Sequence, residues 1–584
     1  MTDLRQRDVE HALLSLGLFL LNIIFFSLAL STLLFLIGVP VSPLHLPAAV
    51  LGAAVVSWLF QRRSWKALGA VLVLGLGILA LSLLLAGYVD DWSWDGNSYH
   101  KGIAGALSMG WDPLKESYYD FARPYPFLAH CTETWYDSYP KASELFAACV
   151  HVLTGNIEAG KGFNLLAMAG TFFLAWGMLV CTGLFRHWQA AVCAGLSVLT
   201  PVSTSQIFTF YNDGLLADML LLCLMGLLYL TFYPGGELTL LAGYLILVSI
   251  SVGFNVKFSS VLFFAILCLT FFGYWTAAEL RRGRISQAVR ALRGRFCLLA
   301  ASVLSGVLFL GSTAYVTNTL RYHNPVYTMI GPGSTEIITS QVPTVFQPMS
   351  HPVRFFASLF SRTNASLEIE AVEWKLPFTF STTELYSAPS CDVRTAGWGV
   401  LFSGIFLIAA AVILLSLRRC RRSRPEVFRL TAVLSVMLGL SVLFIPGLCW
   451  ARYFTALFYI PVAALLFLFA WWNREGGKAR LTCALVLTAL LCANMAPNGG
   501  WSLLLMKNAG RTWDQLDQLK ALTETCDVTV GYGGADSFEG RMFNVYDAGI
   551  RDFTFGPIDP EDFTGTIFDR YPLYYRIADG QEVS

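Results

Sequence analysis

Charge is what this sequence has least of. Asp, Glu, Lys and Arg make up 14% of its 584 residues, against roughly a quarter in a soluble globular domain, and that scarcity excludes a water-soluble fold. A formal net charge of +1 leaves no overall excess of the basic charge that nucleic-acid binding uses. There are 13 cysteines, but no CxxC and no Cys/His set has metal-ligand spacing, which argues against a zinc or iron–sulfur centre. Most of the cysteines fall within apolar runs, where a thiol behaves as a small hydrophobe. Cys131, Cys391 and Cys526 lie in wetter segments, and nothing in the sequence selects a disulfide pair among them. No small-residue cleavage site follows the first apolar run, so we read that run as a retained span. Also missing is the pair of broken, polar mid-membrane helices repeated in two halves that would mark a transporter.

Apolar residues fill the space that charge leaves. They make up 55% of the chain, mean hydropathy is +0.57, and they come in separate runs of roughly 18 to 22, each long enough to cross a hydrocarbon core of about 30 Å. The reading is an α-helical polytopic membrane protein with about thirteen transmembrane helices, at 12–37, 47–60, 67–88, 163–184, 188–201, 214–233, 237–254, 258–276, 296–315, 397–417, 428–446, 450–471 and 481–497. Five basic clusters, at 61–66, 186–188, 281–295, 418–424 and 473–480, separate these runs. The positive-inside rule puts all five in the cytoplasm when the N-terminus is cytoplasmic. Residues 1–497 then form a transmembrane module with extracytoplasmic loops at 89–161 and 316–396, and 498–584 form a small extracytoplasmic C-terminal domain. Within that domain TWDQLDQLKALTETCDVTVGYGG reads as a helix, a strand and a glycine turn, an α+β pattern.

The polar chemistry gathers at the outer ends of spans. YVDDWSWDGNSYHK (88–101) closes the third apolar run with three aspartates, and a short helix there places Asp95 and Tyr99 on one face. A carboxylate in that position suits a general base, and the neighbouring rings suit stacking on a ring-shaped substrate. Plainer roles stand beside these: Asp90 or Asp91 as a helix cap, Trp92 and Trp94 as interfacial-belt residues, and His100 as a structural hydrogen-bonding group. Three carboxylates so close together are also a possible divalent-cation site. Tyr139-Pro140-Lys141 leads into a segment with Glu144 in its first turn, where a carboxylate complements the helix dipole. Further along stand Asp213 and Asp218, Lys257, the NTLRYHNPVY segment (318–327), and Arg452 with Tyr453. Charges within or beside apolar spans are costly, which makes them functional candidates. Lys257 and Arg452 are placed to meet a lipid-linked phosphate or, alternatively, to snorkel toward headgroups.

In their order and topology these motifs resemble the polytopic glycosyltransferases of the GT-C fold, the superfamily of protein O-mannosyltransferases and lipid A aminoarabinose transferases. The resemblance rests on WDGNSYHKGIAGALSMGWDP, YPKASELFAACVHVLTGN, FYNDGLLAD, GFNVKFSSVLFF, NTLRYHNPVYT and ARYFTALFYIPVAALLF, together covering most of residues 1–470. It implies an inverting enzyme that moves a sugar from a polyprenyl phosphate to an acceptor hydroxyl of a glycan, lipid or protein, at the outer face of a bacterial cytoplasmic membrane. Carried over residue by residue, it makes Asp95 the catalytic base, with Asp91 the competing choice. Tyr99, His100, Lys141, Glu144, Asp213, Lys257, Arg452 and Tyr453 join Asp91 as substrate-binding residues. No cofactor is required under this reading, although a divalent cation is compatible with it. Membrane lipids are the remaining partner, and no nucleic acid is expected. The tail from 498 departs from the pattern, and its role stays open between acceptor recognition and simple cover.

Overall fold

The computed structural model describes residues 2–61, 64–128, 133–281, 285–331, 341–445, 447–533 and 538–578. Among these, ten helices are long and apolar enough to cross a membrane, from Asp8–Leu36 to the 48-residue stretch Lys478–Thr525. The chain has the architecture of a polytopic helical membrane protein. Three of the thirteen segments expected to span form helices that are too short: His45–Phe60, His187–Val198 and Thr239–Phe254. At 1.5 Å per residue, a 16-residue helix reaches only about 24 Å. The His187–Val198 helix stops because Thr200 and Pro201 begin a new one: Pro201 sits at its first turn and the Thr200 hydroxyl accepts from Ser203 N at 3.1 Å.

The boundary expected at 497/498 falls inside a helix, since Lys478–Asn508 runs straight through Pro497. Side chains on either side of the proline tie this helix to its neighbours: Asn494 Nδ2 donates to Trp398 O at 2.8 Å, and Asn498 Nδ2 donates to Pro201 O and Ala388 O. A further helix, Gly510–Thr525, then leads into the C-terminal module.

That module is α+β. Strands β1 (Val528–Gly531), β2 (Thr554–Phe555), β3 (Gly565–Ile567) and β4 (Leu573–Ile577) form one mixed sheet in the order β2-β1-β4-β3, with only the β1–β2 pair parallel. The helix Glu539–Asp547 turns back onto the loop that follows the third apolar run. It comes close because glycines make room: a Cβ at Gly540 would press on the Asn97 carbonyl, and one at Gly105 would enter the Phe543 ring. Buried polar contacts seal the joint. Glu158 accepts from Lys101 Nζ at 2.6 Å, from Asn544 Nδ2 at 2.8 Å, from the Asp91 backbone N–H at 3.0 Å, and from Lys161. His151 Nε2 lies 2.9 Å from Asp547 Oδ1, and Arg541 pairs with Asp90 at 3.1 Å. Burial pushes the Lys101 ammonium down from its ordinary range, although Glu158 works against that shift.

Candidate functional site

Asp95 immediately precedes a π-helical turn, Gly96–His100, a form of helix that recurs at functional sites. The approach to this turn is fixed by Asp91, whose Oδ1 accepts from Ser93 N at 2.8 Å and whose Oδ2 accepts from Phe210 N at 2.9 Å. With 0% exposure and both oxygens committed to backbone, Asp91 stitches two loops together. It has no free face for substrate, unlike its expected place among the contact residues, whereas Asp95, at 9% exposure, turns to Arg452. Burial raises the Asp91 carboxyl above the ordinary range despite the nearby Lys101.

The three aspartates of this loop turn to three different partners. Asp90 meets Arg541 and Thr512, Asp91 meets backbone, and Asp95 meets Arg452. They therefore do not converge on a cation, and no cluster of three His, Cys, Asp or Glu suited to a metal occurs among the described residues.

Arg452 is the hub. Its Nε donates to Asp213 Oδ2 at 2.9 Å, one terminal nitrogen donates to Asp392 Oδ1 at 2.6 Å, and the other pairs with Asp95. Its guanidinium lies 4.2 Å from the centre of the Tyr211 ring, a stacking geometry that suits arginine. Asp213 opens the helix Asp213–Phe232, where the dipole favours a carboxylate, and it also receives Lys257 and, at 2.9 Å, Gln206 Nε2. Lys257 occupies the break between the helices Thr239–Phe254 and Ser259–Arg281, with its ammonium 5.2 Å from the Tyr453 ring. Arg394, 2.7 Å from Asp392, completes a set of three cations and three carboxylates. Burial alone would raise the Asp95 carboxyl, but Arg452 and His100 outweigh it and hold the group below the ordinary carboxylate range.

On the other flank, His100 Nδ1 pairs with Glu144 Oε1, and Ser143 donates to Glu144 Oε2 at 3.0 Å. Tyr99 packs 4.2 Å from the His100 ring and 6.0 Å from Tyr139. Burial and the Asp95 charge push its hydroxyl well above the ordinary tyrosine range.

Lys141 belongs elsewhere. Only 1% exposed, it donates to the carbonyls of Asp137 at 3.1 Å, Tyr139 at 2.8 Å and Thr313 at 3.5 Å. Burial pushes its ammonium down to about 8. It ties the Tyr139-Pro140 turn to the segment near Thr313 and does not reach the cavity, so the expected substrate contact is corrected to a structural one. Asp218 is likewise buried in its helix, with its Oδ2 unpaired.

Sequence reasoning missed Asp392 and Arg394. Their signal was available in Cys391-Asp392-Val393-Arg394, where an acid and a base stand two residues apart. Cys391 and Cys526 are free thiols, and Cys131 lies outside the described residues.

Beside the hub lies a small, open pocket. Asp213, Lys257, Arg452 and Tyr453 form its polar end, while Leu216, Leu220 and Phe263 on two spanning helices form an apolar wall. Compared with protein-family models and with curated proteins, the chain matches none.

Proposed function

We propose that the protein is an inverting GT-C glycosyltransferase that moves a sugar from a polyprenyl phosphate to an acceptor hydroxyl. The observation that carries this reading is the two-natured pocket, whose Lys257 and Arg452 face a cavity walled by membrane-helix leucines. A phosphate joined to a long apolar chain satisfies both halves: the cations make charge-assisted hydrogen bonds to the phosphate, and the chain leaves between Asp213–Phe232 and Ser259–Arg281. Asp95 pairs with the same guanidinium and is not among the residues that line the pocket.

In the reaction the acceptor oxygen attacks the anomeric carbon from the face opposite the phosphate. Its proton passes to Asp95, the carbon–oxygen bond to phosphate breaks, and the bonding pair leaves on the phosphate oxygen. The products are the glycosylated acceptor, polyprenyl phosphate and protonated Asp95, which then loses its proton to water. Negative charge grows on the leaving oxygen, where Lys257 and Arg452 stabilise it. The incoming phosphate also competes for Arg452, loosening its hold on Asp95 so that the base is released as the donor seats. No step calls on a metal. With the five basic clusters on the cytoplasmic side, as the positive-inside rule expects, the reaction of this proposal takes place on the outer face of a bacterial cytoplasmic membrane.

The test uses the purified chain in lipid nanodiscs with polyprenyl-phosphate-linked sugars and a cell-envelope extract as acceptor. A transferase releases free polyprenyl phosphate and forms a new glycosidic bond. Movement of intact donor across proteoliposomes, with no bond broken, would establish a transporter instead.

A further inference from the structure

Among residues that do not line the phosphate pocket, the C-terminal module meets the Asp95 loop through aromatic rings. Trp94, the residue before Asp95, is 41% exposed. Its ring stands edge-on to Phe538 at 6.4 Å, and Phe538 packs on Tyr571 at 4.9 Å. The next-door Arg570 sets its guanidinium 5.0 Å from the Trp92 ring. Phe538, Arg570 and Tyr571 all come from the C-terminal module, so this face of the site is incomplete without it.

The turn presenting Tyr571 is held in shape. Phe568 and Tyr571 have φ of 72° and 51°, the left-handed region that bulky side chains rarely adopt and that marks places where the surroundings fix the backbone. Three contacts fix it: Arg541 donates to the Arg570 carbonyl at 2.8 Å, the Arg541 guanidinium lies 4.1 Å from the Phe568 ring, and Phe568 N donates to Gln515 Oε1 at 3.0 Å. Arg541 also pairs with Asp90, so one side chain joins the turn to the loop that carries Asp95. Tyr571 lies within electrostatic reach of Cys391, Asp392 and Asp95. Burial, helped by these groups, raises its hydroxyl to about 12.

We infer that Trp94 and Tyr571, with Asp392 and Asp95 beside them, form a subsite for a carbohydrate ring, and that the acceptor is therefore a glycan. This rests on the transfer reading above and names its acceptor class. A pyranose has flat C–H faces and a rim of hydroxyls. Aromatic faces with the adjacent carboxylates match both parts, the rings taking the C–H face and the charged oxygens taking hydroxyl protons. A lid serving only to exclude water needs neither the partly exposed tryptophan nor the carboxylates at its edge. Arg452 would then stand between the two substrates, donor phosphate on its Asp213 side and acceptor ring on its Asp95 and Asp392 side. That arrangement leaves Asp95 on the acceptor side, where a base must be.

The test is saturation-transfer NMR on the full chain in nanodiscs, with methyl gluco-, galacto- and mannopyranosides and their N-acetylated counterparts as probes, and a serine-containing peptide for comparison. At least one pyranoside is expected to take saturation on its ring protons. That signal should fall ten-fold or more in Trp94→Ala and in Tyr571→Leu, and be retained in Tyr571→Phe. The Leu and Phe pair both preserve apolar bulk, so their difference reads the ring rather than folding. The inference is overturned if no pyranoside takes saturation, if the signal persists in Trp94→Ala and Tyr571→Leu, or if only the peptide responds. Binding needs no turnover, so pyranoside binding without sugar transfer would sink the transferase reading and leave the subsite standing.

Discussion

Replacing Arg452 by Gln removes a cation that touches Asp95, Asp213 and Asp392 together. Two effects with different signatures follow. The departing phosphate loses a stabilising charge, which on the scale of a lost oxyanion donor is about a 10²- to 10³-fold fall in turnover. Separately, Asp95 loses the main influence holding its carboxyl low while the burial that raises it remains. An opposite charge at contact distance favours the ionised carboxylate, so its removal should raise the Asp95 pKa. The base works only when deprotonated, so turnover falls as pH drops through the Asp95 pKa. In the wild type that fall lies below the ordinary carboxylate range, and kcat/KM should be flat on the acid side down to about pH 5. In Arg452→Gln the acid limb should move up toward neutral. The assay is kcat/KM for lipid-linked donor across pH 4.5 to 8.5, with enzyme stability checked at each pH. A slower variant whose acid limb has not moved would refute the electrostatic link between Arg452 and Asp95.

Other consequences are simpler to read. Lys257→Ala should slow donor turnover about 10- to 100-fold, the size of a lost hydrogen bond to a charged group, and leave the acid limb where it is, because Lys257 pairs with Asp213; initial rates across the same pH series check this. Glu158→Gln faces two fully buried ammonium groups, Lys101 and Lys161, with an amide. Breaking such a pair costs about 3–5 kcal/mol, so thermal unfolding in detergent should begin at clearly lower temperature. Maleimide without reductant should label Cys526 in the folded protein and Cys391 only after denaturation, since both are free and only Cys391 is buried; labelling of neither after denaturation would indicate a disulfide.

The membrane helices were legible because hydropathy over twenty residues is a property of the local sequence, and the charged positions beside spans stood out because burying charge is costly. That reasoning singled out Asp213, Lys257 and Arg452 one by one, and the structure brings the three together. The same reasoning led wrongly for Lys141, because a buried lysine capped by three carbonyls looks in sequence like one aimed at a ligand. Nor could it tell the surroundings of Asp91 from those of Asp95: their long-range partners, Phe210 N for Asp91 and Arg452 for Asp95, lie 119 and 357 residues away. The 188–201 segment was overextended because its apolar content continues through the Thr200-Pro201 restart. The docking of the C-terminal module was invisible for a related reason. Lys101 with Asn544, and Asp90 with Arg541, are joined across more than four hundred residues, and no local pattern announces such pairs.

The central claim is that Asp95 takes the acceptor proton during sugar transfer, and Asp95→Asn in a single-turnover assay tests it most directly. The amide keeps the size of the side chain but cannot accept that proton, so with lipid-linked donor and acceptor both saturating the rate should fall at least about 10²-fold, in line with the loss of a general base. Transfer by Asp95→Asn at the wild-type rate would contradict the account.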